Sequence, residues 1–172
     1  MLKKFKEKIE KISGECFIVP NKKEALAKIS SFLQQGNVVW LNQDFLKKEE
    51  EKQLALTYPN LSFSVELKNA SQAYVGINEA DYAILETGTI VEIANPPQKV
   101  LCSTLPNIHI VLLSPSVLLY SLTDFILRHN WSQGYVSFIT GPSKTADIEG
   151  ILTLGVHGPE KLIVICVEDW IK

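Results

Sequence analysis

Two short polar stretches interrupt an otherwise apolar chain, and they hold most of the side chains able to do chemistry. The first is Glu86-Thr87-Gly88-Thr89, with Asp81 just before it. Hydroxyls and main-chain N–H groups around a permissive glycine suit a carboxylate or phosphate. Glu86 would stand beside such an anion as a base or nucleophile. The same four residues also make an ordinary tight turn, with Gly88 at positive φ and both threonines continuing β structure.

The second stretch is Thr140-Gly141-Pro142-Ser143-Lys144-Thr145-Ala146-Asp147-Ile148-Glu149, followed by Gly155-Val156-His157-Gly158-Pro159. Lys144 can hold an acidic group as a point charge, Ser143 or Thr145 can cap a helix, and His157 can exchange a proton near neutral pH. Structural roles exist too, since Asp147 can cap backbone amides and Glu149 can pair with Lys144. The stretch is not a Walker loop, because Gly141-Pro142-Ser143-Lys144-Thr145 lacks the required spacing and second glycine. So many ionisable groups beside an apolar strand exceed what turn-making needs. Glu86, Asp147 and His157 are therefore the catalytic candidates. Thr87, Gly88, Thr89, Gly141, Ser143, Lys144, Thr145, Glu149 and Gly158 are the ligand-binding candidates.

The remaining polar residues say less. Glu79 and Asp81 are close in sequence, but paired-carboxylate chemistry depends on geometry. His109 lies in an apolar strand and reads as a core histidine. Cys16, Cys102 and Cys166 form no CxxC pair and no iron–sulfur spacing, so they read as buried thiols, and no metal site is expected. The tryptophans read as packing residues, with Trp131 a candidate for the border of a cleft.

The elements that must position these stretches follow from periodicity. Leu2, Phe5, Ile9 and Ile12 recur at helical spacing, which predicts an amphipathic helix over 2–13 that acts as a peripheral arm. A strand over 16–19 ends at Pro20. Asn21 and Glu24 then make a capping-box-like start to a helix carrying Leu26, Ile29 and Leu33, which Gly36 stops. Residues 38–41 form a buried strand, and Asp44 caps a third helix through the charged run that follows. Strands are expected at 61–65, 73–77, 82–85 and 89–93, with a break at Asn95-Pro96-Pro97. Ile108–Leu113 is a strongly apolar strand. Ser114-Pro115 opens a helix carrying Val117, Leu118, Leu122, Phe125 and Ile126. Strands at 135–139 and 162–167 complete the pattern.

Strands separated by helical segments imply crossover connections, and strands that show little alternation imply helices on both faces. The expected fold class is α/β, a three-layer α/β/α arrangement with a mostly parallel sheet, and 1–172 forms a single domain. The formal net charge is −2 and the pI about 5.9, so the chain lacks the basic field nucleic acid demands. The first residues are charged throughout, and no apolar run reaches the roughly 20 residues of a membrane span. A cytoplasmic location is expected.

Asp81…Glu86-Thr87-Gly88-Thr89, then 140–149, then 155–159, together resemble the signature of the LUD-domain family. Within it they are most similar to the C subunits of bacterial lactate-utilisation systems. The resemblance covers about the last hundred residues well and the first third by pattern alone. It implies the fold shared by ribose-5-phosphate isomerase, glucosamine-6-phosphate deaminase and CoA transferases. It also implies a part in oxidising L-lactate to pyruvate beside partner subunits that carry the iron–sulfur clusters, this chain holding no cofactor. The leading expectation is an accessory or regulatory subunit with a small-anion pocket. The alternatives are a stand-alone isomerase- or CoA-transferase-like enzyme on a phosphorylated or acyl-CoA substrate, and a non-catalytic interaction domain. The chain is short for such a C subunit, and position 144 is Lys where the family pattern leads one to expect Arg.

Overall fold

In the computed structural model, the structure describes residues 1–94, 97–129, 134–146, 152–154 and 158–172, with the side chains of 145–146 and 152–154 excepted. The chain opens with α1 (Leu2–Lys11), which buries Phe5 and Ile9 one turn apart, as its periodicity requires. Strand β1 (Glu15–Val19) and α2 (Lys22–Leu33) follow; the Asn21 side chain accepts the Glu24 N–H at 3.0 Å, the expected cap. Next come β2 (Val38–Trp40), α3 (Lys48–Thr57), β3 (Leu61–Ser62), α4 (Leu67–Ala70) and β4 (Val75–Glu79). The middle of the chain supplies β5 (Tyr82–Ile84), β6 (Thr89–Ala94), α5 (Gln98–Thr104) and β7 (Ile108–Leu113). A 3₁₀ turn at Pro115–Val117 leads to β8 (Leu118–Leu119) and α6 (Leu122–Arg128). Then follow β9 (Tyr135–Ile139), β10 (Lys144–Ala146), β11 (Leu152–Leu154) and β12 (Lys161–Val167).

Six strands form one sheet in the order β1-β12-β7-β4-β2-β3, every neighbouring pair parallel. Its central strands are buried on both faces, which is why β7 and β12 read as unbroken apolar runs. One face packs Val38, Trp40, Ile77, Ile110 and Ile165 against Ala25, Ile29 and Leu33 of α2. The other packs Val111, Leu113, Val164 and Cys166 against Phe5 and Ile9 of α1, and against Ala83, Ile90 and Leu118. Those last three residues belong to a second, four-stranded sheet, β8-β5-β6-β9, in which β6 pairs antiparallel with both β5 and β9. The layer over this face is thus part helix and part sheet, an element that periodicity did not reveal.

Several local expectations are corrected. The strand at 61–65 is limited to Leu61–Ser62, and that at 73–77 is Val75–Glu79, running on to a buried carboxylate. Asp44 does not cap α3; the helix starts after Lys47, whose N–H the Glu50 carboxylate accepts at 2.7 Å. No single helix follows Ser114-Pro115. Ser121 and Asp124 form a capping box that restarts the helix at Leu122, freeing Leu118 to pair with Ala83. No helix begins at Ser143 or Thr145 either, because Lys144–Ala146 is a strand paired antiparallel with Leu152–Leu154. Helix α5 was not foreseen, since the prolines before it read only as a break.

Helix α5 crosses β4 at Gly76 so closely that a Cβ there would lie 2.0 Å from the Cys102 carbonyl and 2.8 Å from Pro106 Cγ. That carbonyl belongs to the backbone and cannot swing away. Gly76→Ala is therefore expected to destabilise the fold by about 3 kcal/mol or more, read as a lowered thermal midpoint.

Candidate functional site

The antiparallel pairing of β6 with β9 carries the two polar stretches to the same place. Ile90 faces Ile139, so the turn before β6 and the loop after β9 emerge side by side. The Thr89 hydroxyl is hydrogen-bonded to Thr87 at 2.7 Å and to Thr140 at 2.8 Å, a chain of three hydroxyls joining both stretches. Gly88 and Gly141 have φ of +70° and +83°, the left-handed conformation that favours glycine. Both also lie against α1 and the turn after it. A Cβ on Gly88 would be 3.0 Å from the Lys8 carbonyl carbon, and one on Gly141 would be 2.6 Å from the Ile12 oxygen. The helix read as a peripheral arm thus lies over the junction of the two stretches.

On the far side of the loop, the Ser143 N–H donates to the Pro159 carbonyl at 2.8 Å, bringing Gly158 against the Ser143 side chain. Lys144 is exposed and its ammonium donates to the Ser13 hydroxyl at 2.7 Å. Glu86 and Thr87 are exposed at the turn, and Thr89 is buried. The structure therefore gathers Thr87, Gly88, Thr89, Gly141, Ser143, Lys144 and Gly158 on one side of the molecule, with Glu86 on the neighbouring turn. Asp147, Glu149, His157 and Trp131 lie outside the described residues, as does the side chain of Thr145. Hydroxyls, the backbone at two left-handed glycines and the Lys144 ammonium thus share this surface.

A second polar assembly, missed from the sequence apart from weak notice of Glu79, Asp81 and His109, lies at the carboxyl ends of β2 and β4. That edge is where ligands bind in open α/β sheets. Glu79 is fully buried and accepts main-chain N–H groups from Gln43, Asp44 and Phe45 at 2.8, 2.9 and 3.0 Å. Asp81 Oδ2 accepts the Ile93 N–H at 2.6 Å and the buried Lys99 ammonium at 2.6 Å. Lys99 also donates to Gln43 at 2.8 Å. Burial lowers the Lys99 pKa, while the Asp81 charge and hydrogen bond oppose that shift.

Beneath α5, Asn78 donates to Glu92 Oε1 at 2.7 Å and is hydrogen-bonded to His109 Nε2 at 3.0 Å. His109 Nδ1 and Glu92 Oε2 have no hydrogen-bond partner among the described residues; the Ser103 hydroxyl, a neighbour of the carboxyl group, donates to the Val100 carbonyl at 3.3 Å. His109 is thus a core histidine that is satisfied at one nitrogen only. Burial pushes the Glu92 carboxyl up to about 7 against the pull of Asn78, and burial together with the Lys99 charge pushes His109 down to about 3. The three cysteines are buried free thiols, as expected, and burial raises Cys102 to about 12. Among the described residues, no group of three or more His, Cys, Asp or Glu side chains is arranged to hold a metal ion. No helix there is long and apolar enough to cross a membrane.

A family profile described as "LUD domain" matches residues 2–167, and the chain belongs to that family. Proteins named "Lactate utilization protein C" from Anoxybacillus flavithermus and Bacillus subtilis are 35% and 36% identical, each over 60% of this chain and 48% and 46% of their own. One of the same name from Geobacillus sp. (strain WCH70) is 30% identical over 86% of this chain and 68% of its own. The chain thus spans about half the length of the first two. A crystal structure of a DUF162 family protein from Deinococcus radiodurans superposes with a TM-score of 0.67, covering 96% of this chain and 95% of that one at 18% identity. It shares the fold.

Glu92 and His109 set opposite pH dependences. His109, lowered from 6.5 to about 3, makes stability rise with pH across that window; Glu92, raised from 4.5 to about 7, makes it fall between those values. In the overlap the two slopes, each up to about 1.4 kcal/mol per pH unit, offset one another. Glu92→Gln removes the falling limb. The stability of the variant relative to the parent is expected to climb by up to about 3 kcal/mol from pH 4.5 to 7. Urea unfolding at a series of pH values checks this, and a constant difference would contradict it.

Proposed function

We propose that this chain is an accessory or regulatory subunit in the oxidation of L-lactate to pyruvate, binding a small carboxylate at the junction of its two polar stretches. The reading rests on membership of the LUD family and on the likeness to proteins named "Lactate utilization protein C". The observation that carries the pocket is the hydroxyl chain Thr87–Thr89–Thr140, which joins the stretches beside Lys144. Ser13 occupies the Lys144 ammonium as a neutral acceptor. A carboxylate brings the same ammonium a full opposite charge that the Ser13 hydroxyl lacks, and so competes with it.

In this reading the redox chemistry belongs to partner subunits that carry iron–sulfur clusters, and this chain carries no cofactor of its own. Glu86, exposed at the turn, lines the entrance, while Asp147 and His157 are assigned to proton exchange on the strength of the motif alone.

Thermal melting against lactate, pyruvate, a sugar phosphate and CoA tests the proposal. A bound carboxylate at about a hundred times its dissociation constant should stabilise the fold by about 2.7 kcal/mol, a rise of several degrees. Lys144→Ala and Thr89→Val should each abolish the rise, whereas Glu86→Gln should keep it. A response to sugar phosphate or CoA alone, together with turnover lost in Glu86→Gln, would overturn the accessory role in favour of an isomerase- or transferase-like enzyme.

A further inference from the structure

The outermost strand of a sheet leaves one row of backbone groups unpaired, and proteins keep such edges short, charged or bounded by proline. The β8 edge of the second sheet and the β3 edge of the main sheet are two residues long. The other edge of the main sheet, β1, starts at Glu15 and stops at Pro20. The β9 edge has none of these guards. Its five residues, Tyr135-Val136-Ser137-Phe138-Ile139, include no charge and no proline.

The orientation of its backbone groups follows from β6. Val91 accepts the Asp81 N–H, and Ile93 donates its N–H to the Asp81 carboxylate, so both residues face β5. Alternation along an antiparallel strand then turns Ile90, Glu92 and Ala94 toward β9, opposite Ile139, Ser137 and Tyr135. Val136 and Phe138 therefore direct their N–H and C=O groups outward. No main-chain group of a described residue bonds to them from that side.

Apolar surface gathers at the same edge. Phe138 meets Phe125 of α6 edge-on, with centroids 5.6 Å apart, so helix and strand are neighbours. Of the twelve large apolar side chains exposed among the described residues, six lie on α6 and β9 or directly beside them: Tyr120, Leu122, Ile126, Leu127, Tyr135 and Phe138. Together they present on the order of 600 Å², at the upper limit for the largest patch on a monomer and close to the roughly 800 Å² each partner contributes to a stable dimer.

We propose that β9 pairs antiparallel with β9 of a second copy of this chain, about a twofold axis at Ser137, joining the two second sheets into one. The outward groups select the register that pairs all five residues. Val136 of one copy exchanges main-chain hydrogen bonds with Phe138 of the other, Ser137 lies opposite Ser137, and Tyr135 lies opposite Ile139. Such a twofold pairing sets a strand against itself, which suits an uncharged one, because like charges directly opposite would repel.

Ser137→Cys reads the register. A non-hydrogen-bonded antiparallel pair has its Cα atoms about 4.5 Å apart, within disulfide range, and the native cysteines are buried. Mild oxidation with diamide should link Ser137→Cys into a covalent dimer and leave Tyr135→Cys, which faces Ile139, unlinked. Light scattering after gel filtration should give the parent twice the mass of one chain at micromolar concentration. Val136→Pro removes only an outward N–H, and Tyr135→Lys adds a guarding charge at a side chain 67% exposed. Each should keep the far-ultraviolet spectrum of the parent and move the monomer–dimer midpoint to at least about tenfold higher concentration. Monomers at every concentration, a dimer that withstands both substitutions, no cross-link at Ser137, or equal cross-linking at Tyr135 and Ser137 would each overturn the proposal.

Discussion

Asp81 stands where four parts of the chain must agree. It follows β4 directly, its Oδ2 takes the Ile93 N–H of β6, and the Lys99 ammonium on the same oxygen fixes the start of α5. Through Lys99 and Gln43 the network reaches the loop after β2, and through Lys172 the segment after β12. An ionised carboxylate in this position is tolerable only while its partners are present. The energetic demand of one nearly buried charge therefore sets the relative positions of the main sheet, α5 and the second sheet. Gly76 adds the steric half of the constraint, since only its missing side chain lets α5 come close enough to present Lys99.

This arrangement explains why the molecule concentrates polarity beneath α5 and at one edge of an otherwise apolar sheet. Asn78 and His109 share a face of the main sheet with Gly76, Glu92 of the second sheet meets them there, and all three are fully buried. Burial then moves Glu92 up and His109 down, so both favour their neutral forms between about pH 3 and 7. Two groups with crossed titrations can lie 3.4 Å apart here with neither requiring a counter-ion.

The two polar stretches are governed by different physics. Their meeting depends on hydroxyls and backbone at the surface, and α1 lies across it at two left-handed glycines. A helix anchored in the core by Phe5 and Ile9 thus also contacts the proposed anion site, coupling the packing of one end of the chain to the accessibility of residues more than a hundred positions away. The Deinococcus structure keeps the fold at 18% identity. Such tolerance is expected when a parallel sheet buried on both faces needs only apolar residues of suitable size at its core positions.

The parallel sheet was legible in the sequence, because strands separated by helical segments need crossovers and the largely apolar runs at 108–113 and 162–167 suit strands covered on both sides. Periodicity also determined α1 and α2, whose apolar stripes and, in α2, the Asn21 cap are local features. The two polar stretches stood out for the same reason: ionisable and hydroxyl side chains are conspicuous against an apolar background. What local pattern could not supply was pairing. The second sheet is built from strands whose residues look no different from those of the first, so only the β6–β9 register shows that Thr89 and Thr140 meet. Glu92 and Lys99 carried no signal in sequence, since one lies in an apolar strand and the other in a short helix behind two prolines. Their burial, their partners and their shifted protonation arise from contacts between residues distant along the chain, and only the tertiary structure decides those.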